Sequence, residues 1–255
     1  MTFPPDEMLK LEGVWRRYRR WQRRPVSLKE AFVRLWQRDG LAYEDFWALQ
    51  DVSFTVRRGE VVGFCGANGA GKSTLLKVLA RIVPATHGRI TVRGTIATLL
   101  DLGAGFLPEL SGRENIALNG ALMGMSDSAI ARKTPSIIEF ADLGAFIDSP
   151  VKTYSAGMYM RLGFAIASHV AADILLLDEI LAVGDAEFQK KCLAWLRALC
   201  HSGTTVLIVS HALLTLYEMC DRVIWLDRGR MIADGDPGEV LRQYCPGVVL
   251  TAVAR

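Results

Sequence analysis

The chain has 255 residues, 51% hydrophobic and 22% charged, with a formal net charge of +3. That balance suits one large α/β domain or two small ones and excludes a disordered chain. It contains no run of eighteen apolar residues, and its first residues lack the basic and apolar regions of a signal peptide, so neither a membrane-spanning helix nor secretion is expected.

Residues 9–14 alternate weakly and read as an edge strand. Nine basic residues follow between Arg16 and Arg38, with Trp15, Tyr18 and Trp21 interleaved among the first of them. Ser27 and Glu30 have the spacing of a capping box, and Leu28, Ala31, Phe32, Leu35 and Trp36 recur at helical spacing. Residues 15–47 therefore read as a basic insertion with an amphipathic helix. Three readings stay open for it: a solvated face, a helix resting on a membrane subunit with its arginines on anionic headgroups, or a nucleic-acid contact. No nucleic-acid-binding module accompanies it, so nucleic acid is set aside as a partner.

Residues 52–56 alternate as a strand, and 61–65 form an apolar run that feeds Gly66, Ala67, Asn68, Gly69, Ala70, Gly71, Lys72, Ser73 and Thr74. This is the pattern G-x-x-x-x-G-K-[ST] between a strand and a helix, a phosphate-binding loop. Glycines let the backbone curl so that successive N–H groups face a phosphate, and the following helix adds its positive end. Lys72 is expected to reach the β- and γ-phosphates of ATP, and the Ser73 hydroxyl to ligate Mg²⁺.

Two short strands are expected at 89–92 and 95–100, then a glycine-rich loop at 101–111. Ser111 and Glu114 form a second capping box. Residues 126–141 are helical but hold Pro135, which predicts a kink or two pieces. Tyr154 to Met158 opens another helix. Residues 174–177 are an apolar strand ending in Asp178 and Glu179; residues 204–209 are a second, ending in Ser210 and His211. Ligands bind beyond the carboxyl ends of strands in such a sheet. Asp178 is thus placed to hold Mg²⁺ through water, Glu179 to polarise an attacking water, and His211 to reach the γ-phosphate. A helix at 187–200, a short one at 213–219, a hairpin at 223–233 and a last helix at 236–244 complete a parallel sheet covered on both faces. The five cysteines, Cys65, Cys192, Cys200, Cys220 and Cys245, form no C-x-x-C pair and read as reduced thiols.

Residues 66–74, 154–158, 174–179, 183–185 and 210–211, in this order, resemble the ATP-binding subunit of ABC transporters. The runs 99–115, 150–158 and 178–185 look like the subfamily that exports capsule, O-antigen and teichoic-acid polymers. The resemblance implies a P-loop NTPase over the single domain 1–255, with a parallel core sheet, an N-terminal antiparallel β region and a helical subdomain near 101–165 that carries the signature stretch. It implies an ATPase working as a head-to-tail homodimer, in which Ser155, Ala156, Gly157 and Met158 of one subunit face the nucleotide of the other and residues 183–185 cross the seam. The implied partners are two copies of an integral-membrane permease and, indirectly, a lipid-linked polysaccharide, at the cytoplasmic face of the inner membrane. An exporter of drugs or small molecules, or a soluble ATPase acting on nucleic acid or ribosomes, is the alternative.

The chain departs from the family pattern in two places. Ala156 and Met158 replace a glycine and a polar residue. The loop 101–106 has no glutamine, which leaves Asp101 as the candidate metal ligand there. Tyr18 stands where the family stacks an aromatic on adenine; Tyr43, Phe46 and Trp47 are the other candidates, of which Phe46 and Trp47 are assigned to the core. No carbohydrate-binding domain is expected after the last helix.

Overall fold

A computed structural model describes residues 4–21, 43–100, 102–178 and 184–250. Among these, two sheets and seven α-helices build the fold. The strands are β1 (Glu7–Trp21), β2 (Tyr43–Arg57), β3 (Val61–Cys65), β4 (His87–Val92), β5 (Ile96–Leu99), β6 (Ile174–Asp178), β7 (Thr205–Val209), β8 (Arg222–Asp227) and β9 (Arg230–Gly235). The helices are α1 (Lys72–Leu79), α2 (Gly112–Leu122), α3 (Asp127–Ala141), α4 (Ala156–Ser168), α5 (Ala186–His201), α6 (Leu213–Met219) and α7 (Pro237–Tyr244).

The larger sheet runs β5-β6-β7-β3-β8-β9, parallel except for the β8–β9 hairpin. Its central strands alternate between two cores, as a period of two requires. Val62, Phe64, Leu176, Leu207 and Val209 face one core, which α1 fills with Leu75, Leu76, Val78 and Leu79. Val61, Cys65, Leu177, Val206 and Ile208 face the other, filled by α4, α5, α6 and α7. A third cluster holds the helical part together through Ile116, Ile137, Leu143, Ile147, Leu162 and Ile166. The helix α4 serves both of the last two: Phe164 and Ala167 pack toward the sheet, Leu162, Ala165 and Ile166 toward α2 and α3.

The smaller sheet is antiparallel with the order β2-β1-β4. Here two expectations are corrected. First, β1 is the central strand, not an edge. Met8, Leu9, Leu11 and Val14 are all buried, and bulges between Leu11 and Arg16 blur the alternation. Secondly, the strand runs on through the first arginines to Trp21. Arg17 faces Trp47 and Tyr18 faces Phe46 across the ladder, and Arg17 makes an ion pair with Asp45 at 2.8 Å. That partner strand is distant in sequence, so the pairing had no local signal. The amphipathic stretch around Ser27 to Trp36 lies outside the described residues.

Pro135 leaves α3 as one continuous helix. Both Pro135 and Ala131, whose carbonyl loses its donor, are exposed, so that carbonyl is not left buried without a partner. Of the two anticipated capping boxes, that of Ser111 and Glu114 is present and reciprocal, and that of Ser27 and Glu30 lies outside the described residues; Ser155, not anticipated as a cap, caps α4 by accepting from the Met158 N–H.

One charged network fastens the two sheets together. Arg222 of β8 donates to Glu60 at 2.8 Å, to Asp234 at 3.1 Å and to the Thr55 carbonyl of β2. All three side chains are less than a third exposed. Burial holds the Asp234 carboxyl above its usual range, against the pull of Arg222. Replacing Arg222 with methionine leaves two carboxylates facing each other at a partly desolvated site. The expected loss of stability is about 2 kcal/mol in denaturant unfolding at neutral pH. Because a carboxyl with a raised folded-state pKa favours the fold once protonated, the loss shrinks as pH falls through the acidic range where Asp234 titrates.

Candidate functional site

The strand order brings three chemical groups to one edge. In the neighbouring series β6-β7-β3, Asp178 pairs with Val209 and Phe64 with Val209's other side. All three strands point the same way. Asp178 at the end of β6, Ser210 and His211 after β7, and Gly66 after β3 therefore emerge side by side at the carboxyl edge. His211 is exposed, Asp178 half-buried and Ser210 buried.

The loop between β3 and α1 has the conformation that its glycines permit. Gly66, Gly69 and Gly71 have φ of 142°, 79° and 108°, the left-handed region that side chains avoid. A Cβ on Gly66 would lie 2.2 Å from the Leu226 carbonyl oxygen, and one on Gly71 2.5 Å from that of Ala48. The loop is thus wedged between β8 and β2, and Gly229 donates to the Ala70 carbonyl at 2.9 Å. Lys72 is buried; its Nζ donates to the carbonyls of Gly66 at 2.6 Å and Ala67 at 3.0 Å. Its ammonium is therefore held across the loop's mouth. Ala67, Asn68, Gly69 and Ser73 are exposed, while Ala70 is buried under the turn. Burial pushes the neighbouring Cys65 thiol up to about 12, so it stays protonated and takes no part as a nucleophile.

The signature stretch is built separately. Ser155, Ala156, Gly157 and Met158 line an open groove of about 460 Å³ together with Met160, Arg161, Gly184 and Asp185. No residue of the phosphate loop lines it. Gly157 is not demanded by the fold, because a Cβ there would meet nothing closer than the Ser155 Oγ at 3.9 Å. Asp185 caps α5 by accepting from the Phe188 N–H at 2.9 Å.

The groove's organiser is Arg161, which the sequence reading did not single out. It donates to the Ala141 carbonyl and to Asp142 at the end of α3, approaches Asp185 at 3.8 Å, and lies 5.1 Å over the Phe188 ring. The available signal was spacing: one turn after Gly157, positions 160 and 161 share its helical face.

The ABC transporter family model matches residues 49–182 of the chain. The chain belongs to the ABC transporter family. It is 48% identical over 80% of its length to the O-antigen export system ATP-binding protein RfbB of Myxococcus xanthus, of which it covers 46%. It is 45% identical over 78% of its length to the RfbB protein of Klebsiella pneumoniae, covering 81% of that chain. A teichoic acids export ATP-binding protein TagH from Listeria innocua is 40% identical over 92% of this chain and 69% covered. The chain thus spans less than half of its Myxococcus relative. Among solved structures, an ATP binding subunit of an ABC transporter superposes with a TM-score of 0.74 at 23% identity, covering 95% of this chain and 96% of its own. An ATP-binding cassette in a dimeric post-hydrolysis state bound to ADP and Pi gives 0.70 at 21%, covering 90% and 99%. These likenesses show the cassette fold.

Within this cassette, Tyr18 lies inside β1 rather than after it, half-buried, with the Arg16 guanidinium 4.5 Å over its ring. The assignment of Phe46 to the core is corrected: it is 54% exposed. Along β2 the chain is exposed at Phe46, half-buried at Trp47 and buried at Ala48. Trp47 packs edge-on against Trp15 at 5.3 Å and stacks on His87 at 6.2 Å. Asp101 and Glu179 lie outside the described residues, as does Val183.

The two glycines separate fold from site. Gly71→Ala is expected to cost about 2 kcal/mol of stability, from a strained φ and a backbone clash. Gly157→Ala should instead leave stability unchanged or raise it by about 0.5 kcal/mol, since alanine favours a helix. Thermal and denaturant unfolding of both variants check the contrast.

Proposed function

We propose that this chain is the ATP-hydrolysing subunit of an exporter of lipid-linked polysaccharide. It would work as a head-to-tail homodimer on two copies of a membrane permease, at the cytoplasmic face of the inner membrane. The observation that carries the reading is the convergence of the phosphate loop, Asp178 and His211 on one edge of the sheet, in a chain whose relatives include O-antigen export proteins at 45–48% identity. Among the described residues no helix is long and apolar enough to cross a membrane, which suits a subunit that docks on a separate permease.

The proposed chemistry follows from the placement. Loop N–H groups from Gly66 to Thr74 cradle the phosphates, and Lys72 exchanges the carbonyls of Gly66 and Ala67 for the β- and γ-phosphate oxygens. The Ser73 hydroxyl and the Asp178 carboxylate are hard oxygen donors on the same edge, a set that fits Mg²⁺, which keeps several of its waters. Bound there, Mg²⁺ supplies neutralisation of the phosphate charge. Glu179, next in the chain after Asp178, orients the attacking water as a base, and His211 holds the γ-phosphate. In-line attack then needs mainly positioning and charge stabilisation.

The second subunit enters because the signature groove holds no phosphate-loop residue of its own chain. The start of α4, with the Ser155 hydroxyl and the open face of Gly157, presents N–H groups and a positive helix end that suit a γ-phosphate from another copy. Tyr18, or the exposed Phe46 beside it, is the proposed platform for adenine.

Glu179→Gln is expected to keep ATP binding, lower turnover at least 100-fold and accumulate an ATP-bound dimer, read by light scattering with and without ATP. Hydrolysis at the wild-type rate would remove Glu179 from the role of base. The substrate class is tested by isolating the complex from its native membrane: a bound lipid-linked glycan supports the proposal, and a ribosome or nucleic acid in its place overturns it.

A further inference from the structure

The phosphate loop lies in a slot between two strands. One wall is the end of β8: a Cβ on Gly66, where the loop begins, would lie 2.2 Å from the Leu226 carbonyl oxygen. The other wall is β2: a Cβ on Gly71, where the loop meets α1, would lie 2.5 Å from the Ala48 carbonyl oxygen. The turn joining β8 to β9 closes the slot. Gly229 in that turn donates to the Ala70 carbonyl at 2.9 Å, and a Cβ on it would lie 2.7 Å from the same Ala48 oxygen. The loop's N–H groups converge on a phosphate only while both walls hold their places.

Gln50 ties the walls together. The β1–β2 register passes from Leu49 opposite Arg16 to Val52 opposite Val14, so Gln50 and Asp51 form a bulge across from Trp15. A bulge frees backbone groups from the ladder, and the Gln50 N–H donates to the Gly229 carbonyl at 2.7 Å. The side chain uses both ends of its amide. Nε2 donates to the Arg228 carbonyl at 3.0 Å, and Oε1 accepts from Arg230 Nη2 at 3.0 Å. Three hydrogen bonds from one residue thus hold Arg228, Gly229 and Arg230 against β2.

The backbone on both sides of this contact is strained. Asp51 and Arg228 have φ of 56° and 46°, and neither is glycine. Arg228 and Gly229, the latter at φ 80°, are the two left-handed central residues of a tight hairpin turn. Asparagine, aspartate or glycine is usual at the first of them. An arginine in that conformation persists only where its surroundings hold it, and the Gln50 amide on the Arg228 carbonyl does so.

We infer that Gln50 is a positioning residue for nucleotide binding: it fixes the width of the slot and, through it, the curl of the phosphate loop. The inference rests on the proposed ATP-binding role of that loop. Gln50 acts through the turn at Arg228 and Gly229, to which its amide is committed.

The test measures ADP binding to the whole chain, with Mg²⁺, by titration calorimetry. Gln50→Ala removes the two side-chain bonds and is expected to weaken ADP binding about 3- to 10-fold, while the melting temperature without nucleotide stays within about 3 °C of wild type. The KM for ATP should rise by a similar factor and kcat stay within about twofold, because the loop holds the phosphates alike before and during reaction. Adding Arg228→Gly to Gln50→Ala gives the turn a residue that takes this φ unaided, and ADP affinity should return to within about twofold of wild type. Wild-type ADP affinity in Gln50→Ala overturns the inference and leaves the ATPase reading intact. Weakened affinity that Arg228→Gly does not restore also overturns it, because Gln50 would then act by a route other than the turn. A melting temperature lowered beyond that range overturns it too, since Gln50 would then be a support of the fold. A wild-type chain that binds neither ADP nor ATP overturns the parent reading and this inference together.

Discussion

The parallel pairing of β6, β7 and β3 is the constraint on which the rest depends. Each of these strands is five residues long and apolar on both faces, so each must be buried between two layers to be stable. Burial on both sides fixes register, since a slip of one residue would exchange the contents of the two cores. With register fixed, the carboxyl ends are level. Polar groups gather there because the chain must leave the core at that edge, and that is where the phosphate loop, Asp178 and His211 all stand.

The second organising element is α4, which belongs to two cores at once. Phe164 ties it to the sheet layer and Leu162 to the helical cluster. Its N-terminal turn therefore cannot shift without disturbing both. Arg161 strengthens this by joining the end of α3 to the start of α5 through Asp142 and Asp185. The signature groove is thus a preorganised surface at the junction of two packed bodies, not a loop. Such a surface is suited to read a ligand held by another molecule, because little ordering remains to be done on contact.

The charged residues differ in how far they are built into the fold. Arg222, Glu60 and Asp234 satisfy one another between the two sheets. The arginines of β1 behave differently along one strand. Arg17 is committed to Asp45 and the face of Trp47, whereas Arg19 is largely exposed and lies 3.9 Å from the same carboxylate. Among the described residues, the start of the basic block thus braces the β1–β2 ribbon through Arg17.

Most of the candidate site was proposed from the sequence because its signals are local. A phosphate loop needs its glycines and lysine within nine consecutive positions, and a buried strand ending in a carboxylate is a contiguous run. The capping box of Ser111 and Glu114 was readable for the same reason. Contacts between distant segments were not. That β1 continues through an arginine run depends on Asp45 and Trp47, some thirty residues away. That Phe46 is exposed depends on what packs over this end of β2 in three dimensions. Arg161 carries no motif of its own, and its importance comes from Asp142 and Asp185, brought near by packing. The sequence alone determined which chemistry is present, because that chemistry is carried by short runs of particular side chains. Only the tertiary structure decided how the groups are arranged: strand order put three of them on one edge, and the two-core packing of α4 put the fourth in a groove that no phosphate-loop residue lines.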